Sequence, residues 1–471
     1  MKIVIIGAGI SGISTYLFLK KHLPNPASPA EPHQLIIYEG HEANKELKRQ
    51  LYSKDATEQT TNTIAIGGGL GLGPNGLKCL ERLDEALFHD VVRSGHTITQ
   101  WRMSCARGWE LASIGIQTEE DPPTNSVMIG RQALWHCMRQ YVPDIAIVHK
   151  KISKVVAAAG QRPMVSFDDG AADIECDMVL GCDGLRSIVR KSMFHNEGDE
   201  SSEKYPPHYE GLVGVGGFIP SSYLRDNGVK NGEKGIVFGA NGFFGYGYNT
   251  TSPEGQSRNL PHETCDPGDE ANWWSTYYLD ECPDWRSIDS EDAKRQLIAR
   301  HSSWKNPVIQ KIIKNVKIDS LYPTWTTPGL PTWERAGLVL IGDAADALHP
   351  SSGQGANQAL EDSECFALLL AHHLKATYLK PERSQQETER LAGEQAAKNY
   401  SNMRIPRIEK IHQRSAALGD FKKPKNLVQE MLMYLFIWSM KFFRVDTHTR
   451  ELTNYDVPSE VGKMLAASRG K

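Results

Sequence analysis

The sequence feature that most constrains the fold is the glycine pattern GAGISG (7–12), which lies between an apolar stretch, KIVII, and a helical stretch, STYLFLKKHL. A short apolar, β-branched run is typical of a strand buried on both faces of a parallel sheet. At such a strand–helix junction, Gly7 permits a tight turn, Gly9 lets a pyrophosphate approach the backbone, and Gly12 lets the helix pack closely. The next strand, QLIIYEG, ends at Glu39, whose carboxylate can accept hydrogen bonds from a ribose. The pattern predicts a dinucleotide-binding βαβ unit and leaves NAD and FAD both open.

Composition argues against several other classes of protein. Lys and Arg number 53 and Asp and Glu 57, a net charge of −4, which does not suit a general nucleic-acid binder. The eight cysteines include no CxxC and no zinc-ligand spacing, so we predict no metal site. The sequence has neither a secretory signal nor 18 consecutive apolar residues, so we expect a cytoplasmic protein without a spanning helix.

Two later stretches also place an acidic residue after an apolar strand. The first, DIECDMVLGCDGLRSIVRKSM (173–193), contains Asp183 and Gly184 before a helix. The second, GDAADALHPSSGQGANQALEDS (342–363), places Asp343 at a strand end, followed by a loop of small residues and a helix that begins near Gly355. A helix start without bulky side chains offers free N–H groups and the positive end of the helix dipole to a negatively charged group.

The glycine fingerprint, the Asp183-Gly184 pair and the Gly342-Asp343 pair occur in an order that resembles the FAD-dependent monooxygenases of the para-hydroxybenzoate hydroxylase type. The resemblance covers about residues 1–380, and IAIGGGLGLGPNGLKCLERL (64–83) is most similar to the fungal natural-product members. It implies FAD as the bound cofactor, NADPH or NADH as a transient co-substrate, and oxygen transfer from O2 through a flavin C4a-hydroperoxide.

The resemblance also implies roles for individual residues. Gly7, Gly9, Gly12 and Glu39 would bind the ADP half of FAD, Arg131 would contact FAD, and Asp183 would support the pyrophosphate region and NADPH. Gly68 and Gly69 would form the Gly-rich segment beside the flavin, and Asp343 would bind the ribityl chain. Pro350 would lie at the reactive edge of the flavin, and Gly355, Ala356 and Asn357 at its pyrimidine edge.

The sequence departs from the family pattern at two places. Many members read GDAAH, whereas the fifth residue here is Asp346, and a histidine stands at His349, either facing the site or as an ordinary loop residue. The strand EGLVGVGGFIP (210–220) carries glycines, including Gly216 and Gly217, where fungal phenol hydroxylases often carry an arginine. The missing arginine favours a neutral alkene or indole over a phenolate as substrate.

The stretch NGFFGYGYNT (241–250) places Phe244, Tyr246 and Tyr248 on one strand face. These rings form either a wall of a flat substrate pocket or cross-strand packing within a sheet. Tyr246 and His349 are the only candidates for contact with the reacting atoms, and no catalytic residue is otherwise assigned.

The fold class we expect is α/β: a Rossmann-like FAD-binding domain, a mixed β-sheet substrate domain and C-terminal helices. The FAD domain is predicted from residues 1–75, 128–190 and 320–380, the substrate domain from 76–127 and 191–319, and the helical region from 381–471. The apolar segment 426–443 is expected to be buried against the FAD domain or a dimer partner, or to contact a membrane peripherally.

The predicted function is an FAD-dependent NAD(P)H monooxygenase that epoxidises or hydroxylates an apolar aromatic, indole or alkene natural product. The alternatives are a phenol hydroxylase of the same family and a flavin-bound assembly partner without turnover.

Overall fold

The computed structural model describes residues 1–26, 31–40, 68–116, 118, 123–196, 199–255, 263–284, 289–316, 318, 321–379, 384–420, 425–441 and 451–469. The strands are β1 Lys2–Ile6, β2 Gln34–Glu39, β3 Gly69–Leu72, β4 His96–Ile98, β5 Gln100–Cys105, β6 Glu110–Gly115, β7 Ser126–Gly130, β8 Ile147–His149, β9 Ile152–Val156, β10 Met164–Phe167, β11 Ile174–Glu175, β12 Met178–Gly181, β13 His195–Asn196, β14 Asp199–Glu203, β15 His208–Pro220, β16 Glu233–Gly239, β17 Gly242–Tyr248, β18 Glu270–Tyr278, β19 Leu321–Thr326, β20 Glu334–Arg335 and β21 Leu338–Leu340. The α-helices are α1 Ile10–His22, α2 Pro74–Leu83, α3 Glu85–Ser94, α4 Arg131–Arg139, α5 Ile188–Met193, α6 Ser222–Arg225, α7 Ser290–His301, α8 Pro307–Asn315, α9 Gly355–Tyr378, α10 Gln385–Asp420, α11 Leu427–Ser439 and α12 Val457–Arg469.

The first sheet has six strands in the order β20-β21-β12-β1-β2-β8. Strand β1 pairs in parallel with both β2 and β12, and β12 pairs in parallel with β21. The apolar residues of β1 are buried, as expected for a strand covered on both faces. Because the chain leaves β1, β12 and β21 at the same edge, this topology gathers the glycine loop, Asp183 and Asp343 around one crevice.

The second large sheet has seven strands in the order β19-β15-β18-β17-β16-β5-β6, nearly all antiparallel, with β16 and β5 parallel. Residues of α7 and α8, including Leu297, Ile309 and Ile312, form one hydrophobic core with one face of this sheet. The other face is turned towards β3 and β7, where Met128 of β7 approaches Gly247. The expected α/β fold class, with an FAD-binding domain, mixed sheets and C-terminal helices, is confirmed.

The structure corrects the boundary that assigned residues 76–127 to the substrate domain. Helices α2 and α3 bury Leu77, Leu80, Leu87 and Val91 in the same core as β1. Their apolar residues recur at helical spacing and need a partner face, which this core supplies. Within 76–127, only β5 and β6 join the seven-stranded sheet.

The C-terminal helices cover both units. Helix α10 packs along α9, whereas α11 packs on β6 through Met433, Tyr434 and Ile437. Across the described ranges, every helix is too short or too polar to cross a bilayer.

Candidate flavin and substrate site

The glycine loop after β1 is shaped by backbone contacts at two of its three glycines. Gly7 has φ +98°, a left-handed conformation that favours glycine. A Cβ on Gly12 would lie 1.9 Å from the carbonyl oxygen of Gly7, so α1 can pack this closely only with glycine there. A Cβ on Gly9 would meet nothing within 4 Å. Gly9 is therefore open outwards, as an approaching diphosphate requires.

The start of α1 is free to receive an anion. Its N-cap, Gly9, has no side-chain hydrogen bond, and the first turn has no acidic residue. Glu39, at the end of β2, accepts a hydrogen bond from the backbone N–H of Ala8 at 2.7 Å. That bond fixes the carboxylate beside the loop, where the sequence predicts a ribose.

Asp343 and Arg131 face the same crevice from different elements. Both side chains keep accessible surface, and among the described residues neither has a hydrogen-bond or ion-pair partner within bonding distance. The surrounding protein raises the pKa of the Asp343 carboxyl, while the Arg131 guanidinium opposes that rise and Asp346 adds to it. A carboxylate held in this way can accept hydrogen bonds from hydroxyl groups, which matches the ribityl role predicted for Asp343.

The start of α9 is fastened to the glycine-rich strand β3. The Asn357 side chain accepts a hydrogen bond from the N–H of Gly73 and donates one to the carbonyl of Gly71. The first turn of α9 has no acidic residue, and a Cβ on Gly355 would meet nothing within 4 Å. Gly355 and Ala356 keep accessible surface at this helix start, whereas Asn357 is fully buried, and the contacts of these residues with the flavin stay a prediction.

Beneath this helix start lies a buried charge network that the sequence analysis missed. Arg404 of α10 is fully buried and pairs with Glu361 at 2.7 Å and Asp362 at 2.6 Å. The second oxygen of Asp362 accepts a hydrogen bond from the N–H of Gly342 at 3.0 Å. The network connects α10 to the turn that carries Asp343. Sequence alone gave no signal for it, because Arg404 and Glu361 are 43 positions apart.

In the structure, Asp183 makes hydrogen bonds to residues that follow it closely in sequence. Its carboxylate accepts hydrogen bonds from the Ser187 hydroxyl at 2.6 Å and from the N–H groups of Ile188 and Val189. It therefore caps α5, and its contribution to the pyrophosphate region or to NADPH stays a prediction.

The loop before α9 contains Asp346, which stands where many family members carry the histidine of GDAAH. Asp346 is buried and pairs with His412 of α10 at 2.5 Å. His349 is also buried, and its Nδ1 accepts a hydrogen bond from the N–H of Ser351 at 3.1 Å, which caps the short turn Pro350–Ser352. Pro350 itself is exposed beside α9. These contacts favour the loop-residue interpretation of His349.

A second wall of the crevice is the open face of the seven-stranded sheet. A Cβ on Gly69 would lie 1.6 Å from Nδ2 of Asn272, so the Asn272 amide rests directly on the glycine-rich segment. Asn272 is buried, and its Oδ1 has no hydrogen-bond partner in the described structure. Phe218 lies 3.7 Å from the Cβ position of Gly130, next to Arg131. The seven-stranded sheet therefore contacts the glycine-rich segment at Gly69, next to the position predicted for the flavin.

The structure corrects the expectation that Phe244, Tyr246 and Tyr248 wall a substrate pocket. All three are buried on the face that packs against α7 and α8. Phe244 stacks on Trp273 with 5.4 Å between ring centroids. Tyr246 accepts a hydrogen bond from Asn306 at 3.1 Å, and Tyr248 donates one to the Val229 carbonyl at 2.9 Å. The three residues do share one face of β17, as alternation along a strand predicts. That face is the one that packs against the core.

Comparisons with known proteins point to the same cofactor. Residues 325–400 match the model of the FAD binding domain family. Salicylate hydroxylase of Pseudomonas putida is 24% identical over 452 residues, covering 93% of this chain and 91% of that protein. A 6-methylsalicylate 1-monooxygenase of Aspergillus terreus is 24% identical over 425 residues, covering 87% of this chain and 80% of that protein.

Solved structures share the fold. The salicylate hydroxylase substrate complex superposes with a TM-score of 0.68 at 17% identity, covering 98% of each chain. HpxO of Klebsiella pneumoniae, complexed with FAD and uric acid, gives a TM-score of 0.65 at 16% identity and covers 99% of this chain and 97% of that one.

Fold, site and comparisons together define an FAD-dependent enzyme of the monooxygenase type. Among such enzymes it is similar to the salicylate hydroxylase and para-hydroxybenzoate hydroxylase kind.

Proposed function

We propose that this protein is an FAD-dependent monooxygenase that uses NAD(P)H and O2 to hydroxylate or epoxidise an aromatic or unsaturated small molecule. The observation that carries the proposal is the crevice in which Asp343 and Arg131 are accessible and unpaired among the described residues, directly beside the α9 start.

The protein residues divide the work between binding and shielding. Gly9 and the α1 start receive the diphosphate, Glu39 a ribose, and Asp343 the ribityl hydroxyls. Bound FAD, once reduced, supplies the oxygen-transfer chemistry, so no protein nucleophile is required. The α9 N–H groups stabilise negative charge on the pyrimidine edge.

The substrate is proposed to lie between the flavin and the open sheet face. Phe218 and Trp274 give that face apolar and aromatic surface, which suits a flat ring. The case for a neutral substrate depended on a strand without an arginine. Strand β15 indeed has none, but Lys234 of β16 lies on the same sheet face. A phenol hydroxylase, the alternative within the same family, therefore gains support.

The decisive experiment is substrate-dependent NADPH oxidation with O2 uptake, followed by mass spectrometry of the product formed under ¹⁸O2. One labelled oxygen atom per product supports the proposal. FAD binding without any substrate-dependent oxygen incorporation across aromatic acids, phenols, indoles and alkenes would favour the non-catalytic alternative.

We also propose that the outward face of α11 rests on a membrane surface. One face of the helix packs on β6, while the other exposes large apolar side chains: Leu427, Val428, Met431, Leu432, Leu435, Phe436 and Trp438. The surrounding segment 421–444 contains five basic residues and one acidic residue, Glu430, which is buried. An apolar face flanked by basic residues suits anionic lipid headgroups.

A further inference from the structure

Lys234 lies between two tryptophans on the face of the seven-stranded sheet opposite the α7–α8 core, and Trp101 also packs against the cluster formed by α11. It is paired in register with Gly247 on β17 and with Trp101 on β5. Its ammonium nitrogen lies 4.9 Å from a ring centroid of Trp274 and 5.7 Å from one of Trp101. Along β16, Lys234 and Ile236 are half-buried, whereas the alternate residues Glu233, Gly235 and Val237 are buried. Lys234 thus points to the side of the sheet that contacts the glycine-rich segment.

Two glycines make room for Trp274 on this face. A Cβ on Gly245 would lie 2.1 Å from the Trp274 ring, so the indole lies flat across β17. A Cβ on Gly216 would lie 3.2 Å from the Cβ of Trp274. Gly216 is one of the glycines that stand where fungal phenol hydroxylases often carry an arginine, and here it accommodates the indole over which Lys234 lies.

The ammonium of Lys234 has no carboxylate partner among the described residues. Its neighbour Glu233 points to the opposite face, where it lies 3.5 Å from Arg102. Burial lowers the pKa of Lys234 to about 8, and no charged group offsets this effect. An ammonium that has lost part of its hydration and contacts only aromatic rings is stabilised when an anion supplies the missing charge-assisted hydrogen bond.

We propose that Lys234, with Trp101 and Trp274, forms a recognition site for the carboxylate group of an aromatic substrate. This inference rests on the proposed function and deepens it by naming the substrate class. The indoles contact the ring of the substrate, and Lys234 pairs with its anionic oxygen. Lys234 is a positioning residue, because it fixes how the ring lies relative to the flavin without taking part in oxygen transfer.

The arrangement discriminates between acids and their neutral analogues. A neutral amide of the same shape leaves the ammonium without its charge partner, which costs more than the loss of an ordinary contact. We expect an aromatic acid to bind at least about tenfold more tightly than its amide, a ratio equivalent to about 1.4 kcal/mol.

The test measures binding to the FAD-loaded protein without NADPH, from the change in flavin absorbance. The probes are benzoate and indole-3-carboxylate, compared with benzamide and indole-3-carboxamide. Lys234→Met removes the charge and keeps an unbranched side chain, whereas Lys234→Arg keeps the charge. Lys230→Met is the matched control, because Lys230 is an exposed lysine in the preceding turn.

We expect the acid preference to disappear in Lys234→Met and to persist in Lys234→Arg and Lys230→Met. An unchanged acid-to-amide ratio in Lys234→Met, or failure of both acids to bind the unmodified protein, overturns the inference. A purely structural lysine would lower the melting temperature of Lys234→Met and leave the ratio unchanged. Since no turnover is measured, failure of the proposed monooxygenase activity is read separately, from oxygen incorporation.

Discussion

Asn357 accepts a hydrogen bond from the backbone N–H of Gly73 at 2.9 Å, across 284 positions of sequence. The same amide donates a hydrogen bond to the carbonyl of Gly71 at 3.2 Å. One side chain therefore links the start of α9 to the backbone at both Gly71 and Gly73. A Cβ on Gly76 would lie 2.2 Å from the Asn357 Oδ1, which shows how closely α2 approaches this amide. Two backbone surfaces that are predicted to touch the flavin are therefore held in a fixed relation.

The first prediction separates two glycines of one motif. Gly9→Val should leave the fold intact and weaken FAD binding by at least about tenfold, because its new side chain points into open space where the diphosphate approaches. Gly12→Ala should lower the yield and melting temperature of the apoprotein, because its Cβ would lie 1.9 Å from the Gly7 carbonyl oxygen.

Both variants are checked by thermal unfolding of the apoprotein and by FAD titration, with FMN titrated alongside. We expect FAD to bind much more tightly than FMN. Equal affinities for the two flavins, or a Gly9→Val protein with unaltered FAD affinity, would contradict the assignment of the loop to the ADP half.

The second prediction concerns Asp343. Asp343→Ala should weaken FAD binding roughly 10- to 100-fold, since hydrogen bonds to a charged group contribute about 1.5–3 kcal/mol. The apoprotein should be no less stable than the unmodified protein, because the Asp343 side chain is exposed and makes no hydrogen bond or ion pair with the described residues. Equilibrium titration with FAD and the flavin absorbance spectrum test this, and a variant with normal affinity and spectrum would rule out the ribityl role.

The third prediction tests the corrected positions of the aromatic residues. Phe244→Ala should destabilise the protein by about 3–5 kcal/mol, because it empties a core position stacked on Trp273. Trp274→Ala should cost less stability and change ligand affinity, because Trp274 is half-buried on the opposite face of the sheet. Denaturant unfolding should show the larger effect for Phe244→Ala, and ligand titration the larger effect for Trp274→Ala. If Phe244→Ala instead had the larger effect on ligand affinity, the interpretation of Phe244 as part of a substrate pocket would be restored.

How much the sequence predicts depends on whether a residue acts through its neighbours along the chain. The glycine loop, Glu39 and the α9 start follow from local strand–helix patterns, and the structure places all of them around one crevice. The alternation in β17 correctly grouped Phe244 with Tyr246, but it could not say which face meets the core, because that choice depends on where α7 and α8 dock.

Other features arise only from long-range packing. In the sequence, Lys234 is an ordinary lysine in a strand. Its proposed role depends on two tryptophans that lie on different strands. Arg404 likewise lies in a helix whose partner acids are on α9. Helices α2 and α3 were assigned to the wrong domain because chain order does not reveal which core an amphipathic helix joins.

The fourth prediction concerns the outward face of α11. The protein should sediment with vesicles that contain phosphatidylserine and much less with pure phosphatidylcholine. The double substitution Leu432→Ser and Phe436→Ser should abolish sedimentation, since both side chains are more than half exposed. Ile145→Ser is the control, because Ile145 is 91% exposed in the short turn Asp144–Ala146 of the other unit. Dimerisation that the double substitution disrupts, without vesicle binding, would identify a second copy as the occupant instead.

The last prediction concerns the pH dependence of stability at the departure from the family pattern. The hydrogen bond with Asp346 raises the pKa of His412 above its ordinary value, although burial opposes the effect. A histidine whose pKa is raised on folding contributes stability that is fully present below its unfolded pKa, about 6.5, and is lost as the pH rises through the folded value. The free energy of unfolding should therefore differ between the unmodified protein and His412→Gln by more at pH 6 than at pH 9.

The measurement is urea unfolding of both proteins at several pH values, with His208→Gln as a control at an exposed position. The control should show a difference that changes little with pH. A His412→Gln difference that is independent of pH, or that grows towards pH 9, would mean that His412 is neutral beside Asp346. In that case the pair would act as an ordinary buried hydrogen bond, and Asp346 would hold the turn before α9 without the help of a charge.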